Sequence, residues 1–262
     1  MKTADTSGTS AKICKACRIF SFDFVSFSFA TESITYKNME EKKTIDVYNL
    51  LIIDESGSMQ SIYEQALSGI NETLNGIRNA EKDYPDQKQY VSLVTFEGNG
   101  MDGVKTRRDC VPAASLENMT RADYRPGGCT PLYDAMGRAI SQLDSRIKEG
   151  DAVLVTIITD GMENSSCEYS GTAVKELVAR QREKGWTFAY IGANQDAVEV
   201  ARELNISNAL DFDASPEGMV TMSVKYEKAR KKYLRNVHCC MDKGSSPSFL
   251  GKLMDLFEED ED

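Results

Sequence analysis

An α/β domain, built on a mostly parallel sheet with helices on both faces, is the fold class this sequence predicts. Three observations carry it. From Ile45 onward, strand-length apolar runs alternate repeatedly with helical apolar stripes. Those runs are apolar on both faces, as strands covered on each side must be. No internal repeat divides the chain. With 262 residues, 41% of them hydrophobic, the chain can bury a sizeable core. That suits one large domain, or one ordinary domain with extensions.

Each element follows from local pattern. Ile45 to Ile53 (IDVYNLLII) is an apolar run of strand length. Ser61 to Ala80 places apolar residues at 62, 66, 67, 70, 74 and 77, a helical stripe. Tyr90 to Phe96 is a second strand, and Gly98, Gly100 and Gly103 turn the chain into Val104 to Val111, a short antiparallel return at a sheet edge. Pro131 to Lys148 reads as a helix, with Thr130 as its N-cap and Pro131 at its first position. Ala152 to Thr159 is the most hydrophobic strand. Ser170 to Lys184 is a helix closed by Gly185, Trp186 to Ile191 a strand, Gln195 to Leu204 a helix, and Asn208 to Phe212 a short strand. Pro216 to Leu234 is the last long helix. The domain therefore spans 45–236.

The two ends read differently. Residues 1–44 alternate Ser and Phe and close on the polar run 38–43. They are either a flexible extension, lying ahead of a true start at Met39, or an edge strand with Phe20, Phe22 and Phe24 on one face. Residues 237–262 form a tail: Ser246-Pro247-Ser248 starts a short amphipathic helix carrying Phe249, Leu250, Leu253, Met254, Leu256 and Phe257, ahead of an acidic end. That helix either packs back on the domain or docks in a partner's groove.

Charge and composition exclude several functions. There are 31 basic and 41 acidic residues, a net charge of −10. Five of those negative charges sit in the last five positions, so the body alone carries −5 and repels phosphate. Neither nucleic acid nor membrane is an expected partner. No stretch approaches the roughly 20 apolar residues of a membrane span. The single histidine, His238, rules out His-pair zinc sites and leaves one possible base for a nucleophilic dyad. Seven cysteines, odd in number and irregularly spaced, favour a reducing cytoplasm over a disulfide scaffold. Cys14 and Cys17 have zinc-ribbon spacing but no second pair, so free thiols are expected. The segment Ile19 to Ala30 has some features of a signal peptide, which keeps a secreted adhesin as an alternative.

Chemistry gathers where parallel strands end, because right-handed crossovers bring their C-terminal ends to one edge. Two strands run directly into aspartate, at Asp54 and Asp160. Asp54 is followed by Glu55-Ser56-Gly57-Ser58, and Thr130 follows Gly127-Gly128-Cys129. Two carboxylates and three hydroxyls form a hard-oxygen set suited to Mg²⁺ or Mn²⁺. Asp134 and Glu163 stand nearby in sequence, either as outer acceptors around such a site or as solvated face residues.

These residues resemble a known family. Asp54-Glu55-Ser56-Gly57-Ser58 is similar to the DxSxS loop of the von Willebrand factor A (vWA) family. Thr130 in GGCTPLYDA and Asp160 in ITDG resemble the other two pieces of its metal-ion-dependent adhesion site, in family order. The resemblance implies a Rossmann-like three-layer αβα sandwich whose six-stranded, mostly parallel sheet has one antiparallel edge strand. It implies a divalent ion held by Ser56, Ser58 and, directly or through water, Asp54, Thr130 and Asp160. It implies also that a partner protein's Asp or Glu carboxylate takes the open coordination position. By the same likeness the chain is of bacterial intracellular type, with a MoxR-type ATPase as a partner by analogy.

The function expected is thus metal-dependent protein binding without catalysis. The competing class is a Mg²⁺-dependent hydrolase or phosphatase. Haloacid-dehalogenase phosphatases also place aspartate at the end of the first strand, but they need a second aspartate two residues on, where this chain has Ser56. A serine nucleophile would lack a base, and no Gly-rich Lys-Ser/Thr loop is present to cradle phosphates.

Overall fold

The first strand shows why the sheet is buried on both sides. In β1 (Ile45–Asp54), Leu50 and Ile52 point to one face while Val47, Leu51 and Ile53 point to the other. The period-two geometry of a strand divides one apolar run between two cores. The computed structural model describes residues 44–98, 103–193, 197–246 and 255–257. The expected extension at residues 1–43, the Cys14/Cys17 pair and most of the tail helix lie outside them.

After β1 come α1 (Tyr63–Asp83), β2 (Gln87–Phe96), β3 (Val104–Pro112), α2 (Leu132–Asp144), β4 (Ala152–Thr159) and α3 (Gly171–Glu183). The chain continues through β5 (Thr187–Ala193), α4 (Ala197–Glu203), β6 (Asn208–Phe212) and α5 (Pro216–Asp242). Among the described residues these six strands form one sheet in the order β3-β2-β1-β4-β5-β6. Every neighbouring pair is parallel except β2–β3, which makes β3 the antiparallel edge strand. Helices α2, α3 and α4 cover one face, with Val155, Ile157, Phe188 and Tyr190 beneath them. Helices α1 and α5 cover the other, over Leu51, Ile53, Leu93 and Ile191. This is the expected Rossmann-like αβα sandwich.

The order places the site. The chain builds outward from β1 through β2 to β3, then crosses back to lay β4 on β1's other side. The strand order reverses between β1 and β4, and a crevice opens at their C-terminal ends. Asp54 ends β1, and Asp160 directly follows β4.

Several boundaries differ from the pattern reading. The first helix begins only at Tyr63, because Gly57–Ile62 forms a 3₁₀ turn. The last helix runs to Asp242, so the boundary expected at 236 falls inside it. Tyr233, Leu234 and Val237 continue its buried face past the basic residues that mimic a helix end. Beyond α5 and the turn to Ser246, Asp255 to Phe257 of the tail are described, and Leu256 is buried among Tyr233, Leu234 and Val237. Its N–H donates to Asn208 Oδ1 at 2.8 Å. This part of the tail packs back on the domain. No helix among the described residues is long and apolar enough to cross a membrane.

Candidate metal centre

Three segments meet at the crevice: the loop after β1, the residues before α2, and the loop after β4. The five side chains singled out in the sequence lie on them, and the structure brings all five together. Asp54 is fully buried. Its Oδ1 accepts the Ser56 N–H at 2.7 Å and its Oδ2 accepts from the Thr159 hydroxyl at 2.6 Å. Ser56 and Ser58 place their hydroxyl oxygens 3.1 Å apart. The Ser58 hydroxyl donates to Asp160 Oδ1 at 2.6 Å.

Thr130 joins through Gly161. The point where a Cβ would stand on Gly161 is 3.2 Å from Thr130 Oγ1, 3.7 Å from Ser58 Oγ and 3.9 Å from Asp54 Oδ2. Oxygens from three segments therefore surround one small space that glycine leaves open. Gly57 ties this loop to the next, its N–H donating to the Gly128 carbonyl at 3.2 Å.

Burial sets the electrostatics. It pushes the Asp54 carboxyl up to about 6, against the hydrogen bonds from Thr159 and Ser56, and the Asp160 charge adds to the rise. Burial also raises Asp160, while its bond from Ser58 pulls it down. Two desolvated carboxylates side by side favour protonation or a neutralising cation. The donor set fits a small hard dication: two carboxylates and three hydroxyls, with no sulfur or nitrogen. Among the described residues, no cluster of three or more His, Cys, Asp or Glu side chains provides a different metal site.

The surrounding scaffold is polar and fastened at many points. Glu55 is buried and meets the Arg107 guanidinium at 2.8 and 3.1 Å. The Tyr124 hydroxyl donates to the Asp54 carbonyl at 2.7 Å. Thr159, Glu55, Arg107, Tyr124 and Gly161 all support the centre, and sequence pattern points to none of them as supports. Glu55, Thr159 and Gly161 do stand inside the quoted motifs DESGS and ITDG, but with no role read for them.

Three expectations about this neighbourhood are corrected. Thr130 does not cap α2. The backbone turns at Pro131, the helix starts at Leu132, and no side chain of its own caps it. The loop after β4 does so instead, with Glu163 Oε2 accepting the Tyr133 N–H at 2.9 Å and Ser166 Oγ accepting the Asp134 N–H at 3.0 Å. Neither Asp134 nor Glu163 is a solvated face residue. The buried Asp134 carboxylate accepts the N–H groups of Cys167, Glu168 and Tyr169, each at 2.8 Å.

No imidazole is near. His238 Nδ1 lies 2.8 Å from Asp86 Oδ2, just before β2 begins. β2 pairs with β1 in register, so the histidine is about 30 Å of strand away from Asp54. A Ser–His pair at this site is excluded by that length.

The model of the von Willebrand factor type A domain family matches residues 50–229. Solved structures similar to the chain include the pilus adhesin SpaC from Lactobacillus rhamnosus GG in its open conformation. The identity there is 14% and the TM-score 0.53, over 74% of this chain and 30% of SpaC. A von Willebrand factor type A structure from Catenulispora acidiphila is similar at 14% identity and a TM-score of 0.46, over 71% of this chain and 43% of that one. The chain thus spans less than half the length of either, and the SpaC likeness shows the fold alone. No curated protein matches the sequence. The family model covers well over half of the chain, and the chain belongs to the von Willebrand factor type A family.

Proposed function

We propose that this domain, as is typical of its family, is a protein-interaction module. It forms an intact metal-ion-dependent adhesion site: it holds Mg²⁺ or Mn²⁺ through Asp54, Ser56, Ser58, Thr130 and Asp160, and binds a protein partner's carboxylate without catalysis. The observation that carries this is the convergence of Thr130 Oγ1, Ser58 Oγ and Asp54 Oδ2 around the space at Gly161. When bound, the ion supplies the positive charge that lets both carboxylates ionise and that attracts an acidic group. The chain's own residues orient the oxygens and hold the loops rigid.

A non-catalytic role is supported by the distance of the single imidazole: His238 pairs with Asp86 before β2, far from Ser56 and Ser58. The free thiols of Cys110, Cys129, Cys167, Cys239 and Cys240 support a reducing, cytoplasmic setting, and the likeness of GGCTPLYDA to bacterial versions supports the bacterial type. Family analogy alone offers a MoxR-type ATPase as the partner. Affinity capture from native lysate in Mg²⁺ buffer tests the reading. Wild type should retain a partner that Asp54→Ala and EDTA both release. Equal capture in all three conditions, or phosphatase activity lost in EDTA, would contradict it.

A further inference from the structure

The loop after β4 is fastened at every residue around Met162, yet Met162 itself projects into solvent. The Gly161 N–H donates to the Thr159 hydroxyl at 3.2 Å. Glu163 accepts from Tyr133, Ser165 and Ser166. Asn164 donates its N–H to the Thr130 carbonyl at 3.1 Å, and its Oδ1 accepts the Thr130 N–H at 2.8 Å. Met162 lies between these anchors with 68% of its surface exposed. The other strongly exposed large hydrophobics among the described residues, Val198, Val220 and Val224, sit on helices α4 and α5. An exposed thioether on a rigid loop, two residues from Asp160, offers an adaptable apolar contact at little ordering cost.

A second rim loop carries the complementary feature. The Arg125 N–H donates to Glu55 Oε1 at 2.5 Å, and the Gly127 N–H donates to the Glu55 carbonyl at 2.9 Å. Arg107 already neutralises the Glu55 carboxylate. The exposed Arg125 guanidinium therefore has no hydrogen-bond or ion-pair partner among the described residues. The chain as a whole carries −10 and repels acidic partners at a distance. Capture of an acidic group therefore draws on local positive charge, from the ion and from Arg125, whose backbone is tied to Glu55 next to Asp54.

We infer that Met162 and Arg125 select the partner of this site: an acidic protein segment presenting a second carboxylate to Arg125 and an apolar side chain to Met162, besides the carboxylate for the ion. This rests on the cation reading of the five oxygens. Both side chains are exposed and neither is among the five ligands, and the Arg125 contact to Glu55 is made by its backbone, so substituting them leaves the fold and Mg²⁺ binding in place.

A random peptide library displayed on phage is the probe. It is selected on wild type, Met162→Ser and Arg125→Ala in Mg²⁺ and again in EDTA, with Mg²⁺ binding followed by calorimetry. Wild type should enrich, in Mg²⁺ only, peptides with paired acidic residues and a neighbouring apolar residue. Met162→Ser should lose the apolar preference and Arg125→Ala the second acid, each binding the wild-type peptides about tenfold more weakly. The same Mg²⁺-dependent peptides at equal affinity from all three proteins would overturn the inference and leave the cation reading standing. Selection indifferent to EDTA would overturn the cation reading and the inference with it.

Discussion

Ser58 donates its hydroxyl to Asp160 Oδ1 at 2.6 Å, joining the loop after β1 to the end of β4 across 102 positions of sequence. That bond exists because the chain reverses its direction of sheet growth at β1 and lays β4 against it. Topology makes the crevice, and the first few residues beyond each strand supply the oxygens inside it.

Gly161 tests the shape of the space directly. A Cβ there would stand 3.2 Å from Thr130 Oγ1 and within 4 Å of Ser58 and Asp54. Gly161→Ala should fold with a melting temperature near that of wild type, since the loop relaxes by a few tenths of an ångström. Its Mg²⁺ affinity should fall by about tenfold or more, a cost near 1.4 kcal/mol. Unchanged affinity by calorimetry would place the ion elsewhere.

The pH dependence of metal-free stability follows from Asp54, whose folded-state carboxyl is raised from 3.8 to about 6. Between those values the folded state holds more protons than the unfolded one, so stability falls as pH rises through the window. The loss at neutral pH is about 3 kcal/mol. Asp54→Asn should remove that slope and stabilise the metal-free protein near pH 7. Urea unfolding in EDTA would show it, and identical slopes for both proteins would refute the assignment.

Thr130 separates capping from binding. Because its hydroxyl caps no helix, Thr130→Ala should not lose the roughly 1 kcal/mol of a removed cap relative to Thr130→Ser. Metal-dependent partner capture should nevertheless weaken in the alanine variant and persist in the serine one. A large stability gap between the two would restore the capping role.

Asp134 holds the loop that carries Asn164 to Tyr169. Asp134→Ala would strand three backbone N–H groups, two of them on one oxygen. A stability loss of about 3 kcal/mol is expected, with weaker Mg²⁺ binding because the segment after Asp160 loosens. Chemical denaturation measures the first and calorimetry the second. A loss under about 0.5 kcal/mol would mean that water replaces the carboxylate.

Much of the fold and centre is legible in sequence, for reasons that differ by residue. β4 and the second half of β1, Leu50 to Ile53, announce themselves as apolar runs, and Asp54 and Asp160 stand out because a charge ends each run. Thr130 is legible as a site residue, while its caplike position misleads. That position is local, whereas the groups that close α2 come from Glu163 and Ser166, some 30 residues on. Glu55 and Arg107 give no signal, since their pairing depends on β3 returning along β2. The end of α5 is hidden because lysines and arginines alternate there with its buried face, and Arg230 itself is buried beside Glu227.

Whether five oxygens hold one divalent ion is decided by a calorimetric titration of Mg²⁺ into metal-free protein. The comparison is wild type against the Asp54→Ala/Asp160→Ala double variant, with circular dichroism verifying that both are folded. Wild type should bind one ion saturably, and the folded double variant should give no binding heat. Equal saturable binding by both proteins would refute the assignment of the ion to these residues.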